Sequence, residues 1–403
     1  DSTLTVAERL PNIVILLVDD MGPQDTSVPF VLDESGQPIR HNFNDFYQTP
    51  NMDTLASLGM RFTTAYAQSV CSPTRTGLLT GRTSARHGVT DWVGANDAGS
   101  PVNWRIDGIT ESDNTLPKLL RAAGYRTIHV GKAHFAKRPV EVEDLGFDVN
   151  IAGNEHGRPD AYTGDYGQGS ARAVPDLEAY HNTGTFLTKA LALEAKAAIG
   201  DAVNANQPFF LNMCFYAVHT PFTTNPDATG DYSDAVNGDH TKFATMIEGV
   251  DIAIGEIRQH LVDLGVAEDT LIFFLGDNGT DSPATRPDRL PSGSFNDWPM
   301  RGKKGSKWEG GTRVPLIATW AAPDTGNALQ QALPIPANSI ETDIVTTWDL
   351  PATLLDLIDR SPPADFGEDS HSLLPYLADA AGTHRPQEIA VHYPHAHRSN
   401  FFS

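Results

Sequence analysis

Only two cysteines occur in the 403 residues, Cys71 and Cys214, so no disulfide framework supports the fold. Cys214 lies in the apolar run Phe209 to Val218 and is expected as a buried thiol. A bond between the two would consume the candidate nucleophile described below. No apolar stretch reaches the ~18 residues that span a bilayer, which argues against insertion by a helix. Cations are scarce. With 29 Lys and Arg against 51 Asp and Glu, the net charge is −22, which disfavours nucleic acid and anionic membrane surfaces as partners. Internal repeats and low-complexity segments are absent, so solenoids and linker-rich chains are excluded. What remains is an ordinary globular composition, long enough for two or three average domains or for one large α/β body.

The apolar runs are short and continuous. Pro11 to Val18, Arg126 to Val130, Phe209 to Val218, Thr270 to Leu275 and Val314 to Trp320 suit strands buried on both faces of a parallel sheet. A final strand is expected over Ile389 to Tyr393. Helical spacing of apolar residues places helices after Thr49-Pro50, over Thr115 to Gly124, Thr185 to Ile199, Asp239 to Leu264 and Thr346 to Ile358. Alternation of this kind predicts a central, mostly parallel sheet sandwiched by helices. In such sheets, ligands bind beyond the carboxyl ends of the strands.

Polar residues follow those runs in a consistent way. Asp19-Asp20 ends the first strand, and Asp277-Asn278 ends another. Adjacent carboxylates need a cation to offset their repulsion, and hard cations such as Ca2+ take several oxygen ligands. Gly131-Lys132-Ala133-His134 and His219-Thr220-Pro221 follow two further strands. Cys71-Ser72-Pro73-Thr74-Arg75 joins a strand to a helix, with Ser69 to Pro73 read as a turn and the helix beginning at Thr76 to Leu79. Cys71 thus sits near a helix N-terminus, which favours negative charge, and Arg75 lies one turn away. That setting suits a nucleophile attacking an anionic substrate. The loop from 83 to 114 carries Trp92 and Trp104, on which a sugar ring could stack, or which could cover the edge of the core. By position, His87, Asn96, Asp97, Arg105, His392, His395 and His397 are the candidate sugar contacts.

The spelling Cys-x-Pro-x-Arg, followed by Thr76-Gly77-Leu78-Leu79-Thr80-Gly81, resembles the signature of type I sulfatases, of the alkaline-phosphatase-like superfamily. Arg301-Gly302-Lys303-Lys304-Gly305 through Glu309-Gly310-Gly311-Thr312-Arg313-Val314-Pro315 resembles another block of that family. On this block Lys304 matches the sulfate-contacting lysine, with Lys303 and Lys307 close by. The resemblance spans about residues 11 to 395, with five motifs in family order. It implies that Cys71 is oxidised to formylglycine by a formylglycine-generating or anaerobic maturase enzyme. It further implies one divalent cation, Ca2+ with Mg2+ as the alternative, held by Asp19, Asp20, Cys71, Asp277 and Asn278. One hydroxyl of the hydrated aldehyde would attack sulfur and the other would later expel sulfate. Arg75 would stabilise the diol, Lys132 and Lys304 would hold sulfate oxygens, His134 would be the base, and His219 would protonate the leaving alcohol.

The runs Asp20 to Phe30 and His87-Gly88-Val89-Thr90-Asp91-Trp92 resemble sulfatases of polysaccharides, especially marine galactans such as carrageenan. A sulfated oligosaccharide or polysaccharide is therefore the expected partner. The polar start, Asp1 to Arg9, reads like what remains after a signal peptide is removed, and an arbitrary cut would look the same. The expected setting is periplasmic or secreted, in a bacterium. Residues 1–385 are expected to form the catalytic domain and 386–403 the start of a C-terminal subdomain. Two other readings stay open: a phosphate or phosphonate monoester hydrolase of the same superfamily, and a non-catalytic sulfated-glycan binder whose Cys71 is never converted.

Overall fold

A computed structural model describes residues 10–95, 104–284, 300–378 and 388–394. Its strands are β1 (Asn12–Val18), β2 (Met60–Tyr66), β3 (Arg126–Gly131), β4 (Val149–Ile151), β5 (Phe209–Cys214), β6 (Thr270–Gly276), β7 (Arg313–Trp320), β8 (Ser339–Glu341) and β9 (Val345–Thr346). They form one sheet in the order β4-β3-β5-β1-β6-β7-β2-β8, with β9 also paired to β2. Only the pairings of β7 with β6 and with β2 are antiparallel. β1, the first strand in the chain, lies near the middle between β5 and β6. Crossover connections bury it on both faces, and all seven of its residues are buried.

Alternate residues of these strands feed two apolar layers, as the two-residue period requires. Val14, Leu16 and Val18, with Leu211, Met213, Ile272 and Phe274, face helices Leu187–Asn204 and Gly238–Asp263. Ile13, Ile15 and Leu17, with Phe210, Leu271 and Phe273, face the opposite layer, to which Leu78, Leu120 and Leu354 belong. The result is the expected sheet between helical layers.

Several local expectations need correction. The helix after β2 begins at Cys71 itself and runs to Thr80, not from Thr76. Pro73 occupies its first turn, where a missing N–H leaves no bond unmade. Residues 388–394 form no strand, although Tyr393 makes an isolated bridge. Three short strands, β4, β8 and β9, carry two or three residues each, too few for periodicity to reveal them. Both cysteines are free and buried, so the Cys71–Cys214 bond is not made.

Candidate active site

One rim of the sheet gathers the polar motifs. Asp19-Asp20 leaves β1, Lys132 leaves β3, Phe215 to His219 leave β5 and Asp277-Asn278 leaves β6. Backbone bonds stitch these exits together. Asp19 N–H donates to Ala217 O at 3.0 Å, Lys132 N–H to Cys214 O at 2.8 Å and Asp277 N–H to Val18 O at 3.0 Å. Cys71 reaches the same rim because β2 is antiparallel to β7, which is itself antiparallel to β6. Lys304 arrives differently from the others, on the segment that precedes the antiparallel strand β7. Lys304 N–H donates to Thr280 O at 2.9 Å and Gly305 N–H to Ser69 O at 2.8 Å, which fixes that segment over the site.

Cys71 lies at the centre. Its Sγ is 3.4 Å from His134 Nδ1. The Cys71 sulfur and one carboxylate oxygen each from Asp19 and Asp277 lie within 4.8 Å of one another. Arg75 donates from Nε and Nη2 to Asp277 Oδ2 at 3.0 and 2.8 Å, and from Nη1 to Lys132 O at 2.6 Å. Lys132 Nζ is 2.5 Å from Asp19 Oδ2, and Lys304 Nζ is 2.5 Å from Asp20 Oδ1. Of the three neighbouring lysines, only Lys304 enters the site. Lys303 pairs with Asp281 at 2.7 Å, and Lys307 lies 5.1 Å from the centroid of the Trp308 ring. His219 Nδ1 is 3.0 Å from Thr220 O, which turns Nε2 toward Asp20 Oδ2 at 3.8 Å.

Three carboxylates here face three side-chain cations, all fully or nearly fully buried. Burial, and then the charge of Asp277, push the Asp19 carboxyl up. Burial would raise Asp20 as well, but Lys304 and His219 hold its carboxyl well below the usual range. Burial, with Lys132 next, drives His134 well below its ordinary value, and burial lowers His219 to about 3. Burial thus favours the neutral form of both imidazoles. Burial also raises the Cys71 thiol despite Lys132 and Lys304. Desolvation thus outweighs the two lysines, and burial favours the thiol over the thiolate in the unmodified residue.

Residues of the site also carry backbone strain. Asp20 and His134 have φ of 62° and 55°, a left-handed region that ordinary residues occupy at some cost and usually at functional positions.

The donor set fits a hard cation. Asp19 Oδ1, Asp20 Oδ2 and Asn278 Oδ1 are buried without a hydrogen-bond partner, and an unmatched buried oxygen costs about 1–3 kcal/mol. Asn278 spends its amide on Asp20 Oδ1 and Gly279 O, both at 2.9 Å, which leaves its own oxygen as a free donor atom. An oxygen-rich set of this kind suits Ca2+ or Mg2+ over a softer metal.

A cavity of about 660 Å³ opens above Cys71, His134 and His219. Trp92 to Ala95 form one side, and Lys137, Arg138, Glu155 to Arg158 and Arg172 also line it. Trp92, one of the two expected stacking residues, is in this wall, whereas His87, Arg105 and His392 are not. His87 is buried, with Nε2–H donating to Pro73 O at 3.2 Å and Nδ1 accepting from Val89 N–H at 3.0 Å. It braces the first turn of the Cys71 helix. Arg105 is spent on a two-pronged pair with Asp113 at 2.7 and 2.5 Å. His392 sets its ring against Trp104, with centroids 5.9 Å apart. Asn96, Asp97, His395 and His397 lie outside the described residues. The basic residues between 137 and 172 were missed because that stretch has no periodicity. Its one signal was a run of cations, Lys137-Arg138, Arg158 and Arg172, in an otherwise acidic chain.

Comparison with known proteins bears on the family and the fold. The family model described as Sulfatase matches residues 11–360. The chain is 31% identical to N-acetylgalactosamine-6-sulfatase of Canis lupus familiaris, over 94% of this chain and 68% of that protein. Among solved structures it is similar to Ps i-CgsB in complex with k-i-k-neocarrahexaose, at 27% identity and a TM-score of 0.69, covering 92% of this chain and 77% of the other. It is also similar to the PsFucS1 sulfatase from Pseudoalteromonas sp., at 25% identity and a TM-score of 0.66, covering 94% and 74%.

Proposed function

The chain belongs to the sulfatase family and is a sulfuric ester hydrolase; from that premise we propose that it removes sulfate from a sulfated galactan of the carrageenan type, using Cys71 as formylglycine beside a Ca2+-type cation. The observation that carries this reading is the trio of unmatched buried oxygens, Asp19 Oδ1, Asp20 Oδ2 and Asn278 Oδ1, at the motifs that gather around Cys71. The relative solved with a neocarrahexaose supports the choice of sugar class.

Asp19, Asp20, Asp277, Asn278 and the converted Cys71 would hold the cation, whose charge offsets that developing on sulfate oxygens. Conversion of the Cys71 thiol supplies a nucleophile that the buried thiol is not. Lys132 and Lys304 bind the sulfate oxygens, and they are positioned beforehand by Asp19 and Asp20. Arg75 fixes Asp277 and the Lys132 backbone on either side of Cys71. His219 would have to take up a proton on Nε2 once the anionic substrate is bound, and would then pass it to the leaving sugar oxygen as the sulfur–oxygen bond breaks. Neutral His134, beside position 71, accepts the proton released when sulfate departs.

Cys71, Pro73 and Arg75 are all buried in the folded chain. A maturation enzyme that reads these three residues and supplies the oxidant must therefore act before folding is complete. Residues 1–385 are proposed as the catalytic domain. A polysaccharide substrate too large to enter a cell suits a periplasmic or secreted enzyme. No helix among the described residues is long and apolar enough to cross a membrane.

The test is sulfate release from defined sulfated oligosaccharides, run beside matched aryl sulfate and aryl phosphate esters. Intact mass of the same sample reports whether the Cys71 sulfur has been exchanged for oxygen with loss of two hydrogens. Release from galactan oligosaccharides by converted protein alone is expected. Faster cleavage of the aryl phosphate, or full activity in Cys71→Ala, would overturn the reading.

A further inference from the structure

Among the described residues, four cations line the outer part of the active-site cavity, Lys137, Arg138, Arg158 and Arg172, with Glu155 as the single carboxylate. The chain as a whole carries −22, so this concentration of positive charge is local and runs against the global field. Lys137 and Arg138 are matched by acids, Asp107 at 3.1 Å and Glu155 at 3.4 Å. Arg158 and Arg172 are not matched one for one. Their Nη1 atoms lie 3.8 and 3.4 Å from the same oxygen, Asp160 Oδ1. Two guanidinium groups on one carboxylate oxygen leave about one positive charge uncompensated, and guanidinium forks suit planar or tetrahedral oxyanions.

The location connects this pair to the reaction. Arg158 follows Gly157, whose backbone packs directly on the His134 ring, and His134 is the residue that touches Cys71. A ligand whose scissile sulfate sits at Cys71 therefore extends past this wall to leave the cavity. The loop is anchored as well, since Asp160 N–H donates to Arg172 O at 3.3 Å and holds the two arginine segments together. Arg158 and Arg172 are 37% and 44% exposed, so their pairing with Asp160 is worth little and is readily exchanged for a ligand.

We infer that Arg158 and Arg172 form a subsite for a second anionic group on the glycan, separate from the sulfate that is cleaved. This rests on the sulfated-glycan reading above and narrows it to polyanionic chains. Sulfate and uronate carboxylate share the required chemistry, and the experiment separates them.

Binding is measured calorimetrically with the Cys71→Ser protein, which removes turnover. Three oligosaccharides of equal length are compared, one monosulfated and otherwise neutral, one disulfated, and one monosulfated with a uronate. At least tenfold tighter binding of either doubly charged ligand supports the subsite and says which group is read. Arg158→Gln/Arg172→Gln should remove that preference, and Asp160→Asn should strengthen it about twofold to fivefold. Equal affinity for all three ligands, or a preference that survives the double substitution, overturns the inference. Failure of the sulfatase reading looks different: the preference persists, while the converted wild-type protein releases sulfate from none of the three.

Discussion

Gly157 lies flat on the imidazole of His134, so closely that a β-carbon there would sit 2.4 Å from Cε1 and 2.8 Å from Nδ1. The ring would have to shift to make room, and Nδ1 is the atom that faces Cys71 Sγ. Gly157→Ala should therefore displace His134 and lower kcat about 10- to 100-fold, since ~1 Å misplacements of catalytic groups cost about that much. KM should change less than threefold. An unaltered kcat in steady-state sulfate release would mean that His134 is not held by this contact.

Cation binding should couple to stability. The unmatched oxygens of Asp19, Asp20 and Asn278 gain a partner when a cation is held. At a hundredfold excess over Kd, a ligand that binds only the folded state stabilises by about 2.7 kcal/mol. Calcium should raise Tm measurably in wild type, and a chelator should reverse the gain. Asn278→Ala should lose most of the shift. The same calcium-dependent Tm in both proteins would contradict the assignment of Asn278.

His219→Ala should separate substrates by leaving group. Its Nε2 is the site-facing nitrogen, because Nδ1 is engaged at Thr220. A positioned general acid is worth about 10²–10⁴ in rate when the leaving group needs a proton. The loss should be of that size on a sugar sulfate and under tenfold on an activated aryl sulfate. Equal losses on the two would assign His219 another role.

Asp251 should make the fold more stable in mild acid. It accepts from Asn51 and Met52 N–H at 3.1 and 2.7 Å and joins helix Gly238–Asp263 to helix Pro50–Leu58. Burial raises its carboxyl to about 6, against the lowering effect of those amides. The folded state thus holds the proton more tightly than the unfolded chain. The stability this group contributes is present below about pH 4 and is lost as pH rises through about 6. At ~1.4 kcal/mol per unit, the change is roughly 2–3 kcal/mol. Urea unfolding at pH 4.5 and 7.5 should show a larger difference for wild type than for Asp251→Asn. Identical differences would refute it.

The core strands and the catalytic motifs were legible because each is a local pattern. A run such as Pro11 to Val18 suits a strand buried on both sides, and the polar residues that follow it are then expected on a rim. The sugar-contact guesses fared differently. His87 ends the one-turn helix Ser84–His87 and Arg105 lies in a loop, both too short or irregular to show a period, and nothing local shows that Pro73 and Asp113 consume their polar atoms. The helix start at Cys71 was misplaced by several residues, because turn-forming Ser and Pro are equally at home in a first helical turn.

By itself, the order of residues determined the class of chemistry: which side chains could act on a sulfate ester, and that they follow buried strands. Only the tertiary structure decided which of them meet. Lys304, which the family block already aligned, meets Asp20 because backbone bonds to Thr280 and Ser69 hold its segment over the rim. Likewise Arg158 and Arg172, fourteen positions apart in sequence, share Asp160 only because their loops are folded against one another. Charge interactions act over a few ångströms of space, and separation along the chain does not report that distance.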